Sequence, residues 1–361
     1  MSDVVKRVAL LGATGSIGRQ ALEVVGNHAR LELCALHSGS TNLDELAATH
    51  SVSHVQVGGD PIVLLERSTP DVVLNAIVGF AGVGATLWSL EHGVTLALAN
   101  KESLVAAGEL AVSAKKRGGG LLLPVDSEHS ALHQCLEGRQ PETIAGLVLT
   151  ASGGPFRGRS RAQLDDVTIE QALAHPTWMM GAKITIDSAT LANKGLELIE
   201  AHWLFDVPYE RIEVIVHPTS IVHALVRLRD GALFGHLGLP DMRVPISYAL
   251  SYPERAETPV PQLELAGLTL SFEAPDVEAF PLLALARAAG ERGGTAPCAY
   301  NAANEVAVAA FLEGLCRFNA IARLVDETLA GDDWPAARDL DELVEADAKA
   351  RRLAQETLTQ T

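Results

Sequence analysis

Cysteine is scarce in this chain of 361 residues, and Cys34, Cys135, Cys298 and Cys316 nowhere form a C-x-x-C pair. That spacing argues against a disulfide framework and against a thiolate zinc site, and it fits reduced thiols in a cytoplasmic protein. Positive charge is also short: 28 Lys and Arg stand against 45 Asp and Glu, for a formal net charge of −17. Nucleic acid and anionic membrane surfaces both require a basic footprint, so neither is an expected partner. Long hydrophobic runs are missing too. The uncharged stretch from Val72 to Leu90 is interrupted by Asn75 and by Gly79, Gly82 and Gly84, and reads as a strand, a glycine loop and a helix, not a membrane span. The start, MSDVVKRVALLGATG, has too short an apolar run for a signal peptide and enters a motif directly, so the mature chain is expected to begin there.

The chain does have enough apolar residues for a large core, 48% against 20% charged, and a length that suggests two or three domains. The first part alternates β-rich runs (VKRVALLG, LELCALH, VVLNAIVG, VTLALAN) with helical ones (QALEVVGNH, SLVAAGELAVSAKKR), the rhythm of a doubly wound α/β sheet. GGG at 118–120 marks a boundary. From about 125 to 255, LVLTA, KITID, RIEVIVH and ALVRLR read as strands among helical pieces, as in an α+β domain. The Pro-containing segment 257–267 reads as a linker. FPLLALARAAGERGG, NEVAVAAFLEGL and ELVEADAKARRLAQETL then read as a small helical domain.

GATGSIG at 12–18 sits between a predicted strand and a predicted helix, with glycines that permit a tight turn and close approach of backbone amides to a pyrophosphate. The second strand ends LELCALHSGS without the acid that NAD usually requires on its ribose. Ser38, Ser40 and Thr41 can donate to a 2′-phosphate instead, which tilts the choice toward NADP, although no arginine stands nearby. A short-chain dehydrogenase is excluded. The residues four positions after Tyr209, Tyr248, Tyr252 and Tyr300 are Glu213, Tyr252, Ala256 and Asn304, and none is the lysine that mechanism needs.

ANKESL follows the strand VTLALAN, placing Lys101 at the sheet edge where ligands bind; a surface lysine in a first helical turn is the plainer alternative. PVDSEHSAL offers Asp126 and Glu128, which would share a face if the segment is extended. Such a pair repels unless a cation sits between the two, and on its own it reads equally as a solvated acidic loop. A third carboxylate is available in IDSATLANKGLELIEAHW. A helix capped near Asp187 or Ser188 places Asn193 and Glu197 at i, i+4 and Lys194 and Glu197 at i, i+3. Gly195 within it suggests close backbone approach or a helix break. All-oxygen donors select a hard divalent ion such as magnesium or manganese over zinc.

GATGSIG, AIVGFAG, ANKESL, LLPVDSEHSA, TASGGPFR, HPTWMMG, KITIDSATLANKGLELIEAHWLF, HPTSIVHALV, LPDMRVPISYAL and NAANE, in this order, resemble the 1-deoxy-D-xylulose 5-phosphate reductoisomerase family over about residues 6–320. The resemblance implies a Rossmann-like NADPH domain (1–122), an α+β catalytic domain (123–256), a linker (257–275) and a helical C-terminal domain (276–361), working as a homodimer. It implies a divalent metal (magnesium, manganese or cobalt) on Asp126, Glu128 and Glu197. It implies substrate contacts from Ser127, Ser152, His175, Trp178, Ser188, Asn193 and Lys194, with Trp178 on a lid and Met180 behind it. It implies cofactor contacts from Thr14, Gly15, Ser16, Ile17, Gly39, Asn100, Glu102 and Gly181, with Lys101 near the reacting oxygens. Glu200 and His223 would support these groups without binding ligand. The implied chemistry is metal-assisted rearrangement of a ketose phosphate to an aldehyde, followed by NADPH reduction to 2-C-methyl-D-erythritol 4-phosphate.

Two departures stand out: Ala13 where the family more often has serine, and Gly39-Ser40-Thr41 where it has Gly-Lys-Asn. The stretch between the second and fourth strands is also short. Two rivals remain at this point. An aspartate-semialdehyde or homoserine dehydrogenase explains GATGSIG but not the three carboxylates, and a non-catalytic dinucleotide sensor explains only the first domain.

Overall fold

The computed structural model describes residues 5–359. The expected chain start and the outermost domain limits, at residues 1–4 and 360–361, lie outside the described residues. The chain divides into two compact units, one of Met1–Ser103, Glu109–His133 and Asp241–Gln262, the other of Leu104–Gly108, Gln134–Pro240 and Leu263–Thr361.

The first unit is built on six parallel strands: β1 (Lys6–Leu11), β2 (Leu31–Ser38), β3 (His54–Val57), β4 (Val72–Asn75), β5 (Thr95–Leu98) and β6 (Leu122–Pro124). Their spatial order is β3-β2-β1-β4-β5-β6. The chain reverses direction of winding between β1 and β4, and such a switch point opens a crevice at the carboxyl ends of the strands. Helices α1 (Ser16–Gly26), α2 (Asp44–His50), α3 (Pro61–Ser68), α4 (Val83–Glu91), α5 (Lys101–Gly118) and α6 (Ser127–Leu136) connect or follow the strands. Gly18, Ala21, Leu22 and Val25 form the buried stripe of α1, at the helical spacing that one face requires. Ala21, Leu22 and Val25 pack with Leu10, Leu33, Leu36 and Leu74 of the sheet and with Ile246, Ala249 and Leu250. Each fully buried Leu or Ile contributes about 1.5–3 kcal/mol.

The second unit holds a four-stranded sheet made of β7 (Ile144–Ala151), β8 (Ile212–Val216), β9 (Val222–Leu228) and β10 (Leu233–Leu237), in the order β10-β9-β7-β8. Only β7 and β8 run parallel. Helices α7 (Ile169–Leu173), α8 (Ala182–Ala189) and α9 (Ala192–Phe205) precede β8 in the chain, and α10 (Arg243–Ser251), which belongs to the first unit, follows β10. The helices α11 (Leu282–Arg292), α12 (Ala296–Leu312), α13 (Phe318–Ala330) and α14 (Leu340–Thr359) supply the helical C-terminal region. No helix among the described residues is long and apolar enough to cross a membrane.

Three local expectations fail. KITID, expected as a strand, lies in α8, where Thr185 Oγ1 bonds back to the Gly181 carbonyl at 2.8 Å and Lys183 pairs with Asp187 at i, i+4. The alternating pattern was too short to discriminate, and burial of Thr185, Ile186, Asp187 and Ala189 decided for helix. Asp187 and Ser188 are therefore in the last turn of α8 and do not cap the next helix, whose N-cap is Leu191 in the left-handed region at φ 59°. The acidic segment is not extended either: α6 begins at Ser127, so Glu128 lies in a first helical turn.

Gly195 does not break α9. A Cβ there would lie 2.5 Å from Ala286 Cβ and 3.1 Å from Tyr300 Oη, so the glycine allows α11 and α12 to approach α9 closely. Gly195→Ala gains about 1 kcal/mol of helix propensity but overpacks a contact at a cost of about 1–3 kcal/mol. A lower thermal midpoint is the expected outcome, measured by calorimetry; an increase would mean the helices separate freely.

Candidate active site

In the first unit the glycine loop follows β1 directly. Gly12 has φ +82°, and a Cβ on it would stand 2.4 Å from the Ala76 carbonyl oxygen. The amides of Gly12 and Ala13 donate to the His37 carbonyl at 3.0 and 2.9 Å, fixing the loop to β2. Gly15 caps α1 without a side-chain hydrogen bond, so Thr14, Gly15, Ser16 and Ile17 present backbone at a helix start, the arrangement that binds a pyrophosphate. Gly39 has open space where a Cβ would be. Ser38 Oγ donates to the Thr41 carbonyl, so that hydroxyl is already engaged and the 2′-phosphate donors foreseen in sequence reduce to Ser40 and Thr41.

At the same sheet edge, Leu98 of β5 pairs with Pro124 of β6, which brings the residues just beyond these strands side by side. Asn100 caps α5: its Oδ1 accepts from Ser103 N at 3.0 Å, and its Nδ2 donates to the carbonyls of Ile77 and Gly79 and to Glu102 Oε2. The side chain is thus committed to holding α5 in place, and a cofactor contact from this residue falls to its backbone. Lys101 opens the helix, is 6% exposed, and forms an ion pair with Asp126. Ser127 Oγ donates to Glu128 Oε2 at 2.6 Å. Asp126 and Glu128 are both half-buried.

The second unit carries the remaining candidates. On α9, Asn193 Nδ2 donates to Glu197 Oε1 at 2.6 Å and Lys194 pairs with Glu197 Oε2, as the i, i+4 and i, i+3 spacings required. Lys194 and Glu197 are 3% and 1% exposed, a buried ion pair. Ser188, half-buried, lies in the turn before α9. Ser152, at the end of β7, meets His175 Nε2 at 2.9 Å. His175 Nδ1 accepts from the amides of Thr177 and Trp178 at 3.1 and 2.9 Å. An accepting Nδ1 leaves the proton on Nε2, so the ring is neutral and donates to Ser152. Burial also lowers its pKa from the ordinary histidine value. Trp178 and Met180 are half-buried, while Met179 is 96% exposed and Gly181 is exposed at the N-cap of α8. His223 is 7% exposed on β9, and its ring lies tilted at 41° to that of His236, their centroids 5.7 Å apart. Glu200 is fully buried.

Residues 8–60 and 55–108 match the family model of 1-deoxy-D-xylulose 5-phosphate reductoisomerase, and residues 122–205 and 237–353 match models of its C-terminal domains. A reductoisomerase of this name from Heliobacterium modesticaldum is 48% identical over 98% of this chain and 97% of its own length. The chain belongs to the 1-deoxy-D-xylulose 5-phosphate reductoisomerase family. The enzyme of that name from Ralstonia nicotianae is 47% identical, with 97% of each chain covered. Among solved structures, the family's enzyme from Zymomonas mobilis in complex with NADPH superposes with a TM-score of 0.89 at 40% identity, covering 98% of this chain and 99% of that one. A family structure in complex with NADPH, fosmidomycin and magnesium gives 0.91 at 38% identity, with 98% of each chain covered.

HPTWMMG and NAANE fall within the matched residues 122–205 and 237–353. Sequence reasoning missed the partner of Asp187: Asn304 Nδ2 donates to its Oδ1 at 2.7 Å across 117 residues of chain. The only trace of that contact in sequence is the asparagine pair in NAANE, within an alanine-rich, largely buried helix.

The His175 ring yields a pH prediction with a definite sign. Its folded pKa lies below the unfolded one, so its contribution to stability is complete at neutral pH and is lost as the pH falls through about 6.5 and below. Protonating Nδ1 also removes the acceptor for the Thr177 and Trp178 amides. NMR titration of the ring is expected to give a midpoint below 6.5; a midpoint above it would mean that the ring is not withdrawn from water in solution.

Proposed function

We propose that this chain converts 1-deoxy-D-xylulose 5-phosphate to 2-C-methyl-D-erythritol 4-phosphate with NADPH and a divalent metal, as an enzyme of isoprenoid precursor biosynthesis. The single observation that carries the reading is the charge arrangement on α9, where Asn193, Lys194 and Glu197 meet on one helix face in the order the family motif requires. In this reading Asp126, Glu128 and Glu197 hold the metal. The donor set fits: three carboxylates, with no cysteine sulfur, are hard oxygen ligands suited to magnesium or manganese, and Glu197, paired with Lys194 here, is a 1% exposed member of that set.

The metal supplies Lewis acidity and NADPH supplies hydride. Ser152, Ser188, Asn193 and Lys194 bind the substrate phosphate, combining hydroxyl and amide donors with one cation in a strongly acidic chain. Neutral His175 orients Ser152 and, through its Nδ1, the amide of Trp178. Trp178 closes over the substrate and excludes water, which holds the reacting fragments in place. Ser127, next to the metal carboxylates, contacts the substrate, and Lys101 stands near the reacting oxygens. Thr14, Gly15, Ser16, Ile17, Gly39, Asn100, Glu102 and Gly181 bind the dinucleotide. By domain, residues 1–122 serve the cofactor and 123–256 the metal and substrate; residues 257–275 link these to the helical part, 276–361.

The enzyme is a cytoplasmic homodimer in this reading. Free cysteines among the described residues support a reducing compartment. The edge strand β10 leaves Leu233, Phe234 and Leu237 exposed, an edge that a second copy would cover.

The test is NADPH oxidation with 1-deoxy-D-xylulose 5-phosphate, with magnesium present and then chelated. Metal-dependent oxidation is expected; none with magnesium or manganese would return the chain to a dinucleotide-binding role alone. Lys194→Ala removes a charge-assisted bond worth about 1.5–3 kcal/mol and should raise KM for the substrate roughly 10- to 100-fold. An unchanged KM would take Lys194 out of the phosphate site.

A further inference from the structure

The α8–α9 turn carries Ser188 on one side and Asn193 and Lys194 on the other, so its shape sets the spacing of the proposed phosphate donors. That shape is unusual. Leu191 adopts φ 59° although it is not glycine, is 4% exposed, and receives no capping side chain. Such a conformation persists only where the surroundings hold it. Part of the hold is local: Thr190 Oγ1 donates to the carbonyls of Ile186 and Asp187 at 3.0 and 3.2 Å, and Ala192 N donates to Thr190 Oγ1 at 3.3 Å.

Within the same turn region stands Asp187, whose carboxylate is 1% exposed one residue before Ser188. A carboxylate so deeply buried is stable only when paired. Lys183 Nζ lies 2.9 Å from its Oδ2, and Asn304 Nδ2, from α12, lies 2.7 Å from its Oδ1. Asn304 is itself fully buried. The same helix sends Tyr300 Oη to the Leu282 carbonyl at 3.1 Å, and burial with the Asp187 charge nearby pushes the Tyr300 hydroxyl well above its ordinary pKa. That phenol therefore stays neutral and keeps its donor.

We propose that Asn304 and Asp187 are positioning residues for the substrate phosphate: α12 clamps the Asp187 carboxylate, and the clamp fixes where Ser188 and Lys194 stand. The inference rests on the phosphate reading above and extends it to a helix that contributes no donor of its own.

The test compares Asn304→Asp, which sets two carboxylates against each other, with the exchange Asp187→Asn plus Asn304→Asp, which restores one carboxylate and one amide. In the full chain with magnesium, Asn304→Asp is expected to raise KM for 1-deoxy-D-xylulose 5-phosphate about tenfold or more. Its kcat should stay within about threefold and its NADPH Kd within about twofold, and the exchange should recover at least half of the KM change on a logarithmic scale. A purely structural role would lower kcat, NADPH affinity and thermal midpoint together, and that result, or an unchanged KM, overturns the proposal. If Asn304→Asp does not fold, Asn304→Ser carries the same KM comparison. Lys194→Ala is measured alongside. A raised KM there with an unchanged KM in the Asn304 variant sinks this inference alone, whereas an unchanged KM in Lys194→Ala removes the phosphate reading and this inference with it.

Discussion

Buried negative charge is the constraint on which the rest of this molecule depends. Asp126, Asp187 and Glu197 are each withdrawn from water, and each meets a lysine: Lys101, Lys183 and Lys194 respectively. Removing one partner of such a pair costs about 3–5 kcal/mol, because the remaining charge is stranded. The pairs add little net stability compared with apolar packing, so stability alone does not explain three of them. The proposed chemistry accounts for two of them, since a ketose phosphate and a divalent cation bring a negative and a positive counter-charge that Lys194, Asp126 and Glu197 can bind; the third, Lys183 with Asp187, belongs to the turn that carries the phosphate donors.

The scaffold around these charges is shaped by places where a side chain does not fit. Gly12 approaches the Ala76 carbonyl and Gly18 approaches the Gly12 carbonyl, where a Cβ would come within 2.3 Å. These contacts bring a helix start to the switch point of a parallel sheet, the location from which such folds bind dinucleotides. In the second unit Gly195 serves packing instead, letting α9 press against α11 and α12. From there the fully buried Asn304 of α12 reaches the Asp187 carboxylate beside the proposed phosphate donors.

The doubly wound sheet was legible because its central strands carry apolar runs, VALL in β1, VVL in β4 and LAL in β5, and its loop glycines are spaced by the needs of the turn. The α9 contacts were legible for the same kind of reason: Asn193, Lys194 and Glu197 are tied by helical spacing alone, and once α9 formed, the hydrogen bonds followed. KITID was misread because five residues alternate equally well on a strand and on a short buried helix, and only packing separates the two. The turn at Leu191 was invisible, since nothing in its side chain announces a left-handed conformation that its neighbours impose. The contact between Asp187 and Asn304 was invisible for another reason, as two residues 117 positions apart share no local signal. The helix α10, which packs on α1 from far along the chain, belongs to the same class.

The proposed role of Asp126 and Glu197 is to bind a divalent metal. Its most direct test is Mn²⁺ binding to the full chain, followed by loss of the free-ion electron paramagnetic resonance signal, in the unaltered protein and in Asp126→Asn and Glu197→Gln. The account predicts that either substitution weakens Mn²⁺ binding by about tenfold or more, a loss of at least 1.4 kcal/mol or so, while NADPH binding is retained. Unaltered Mn²⁺ affinity in both variants would contradict it.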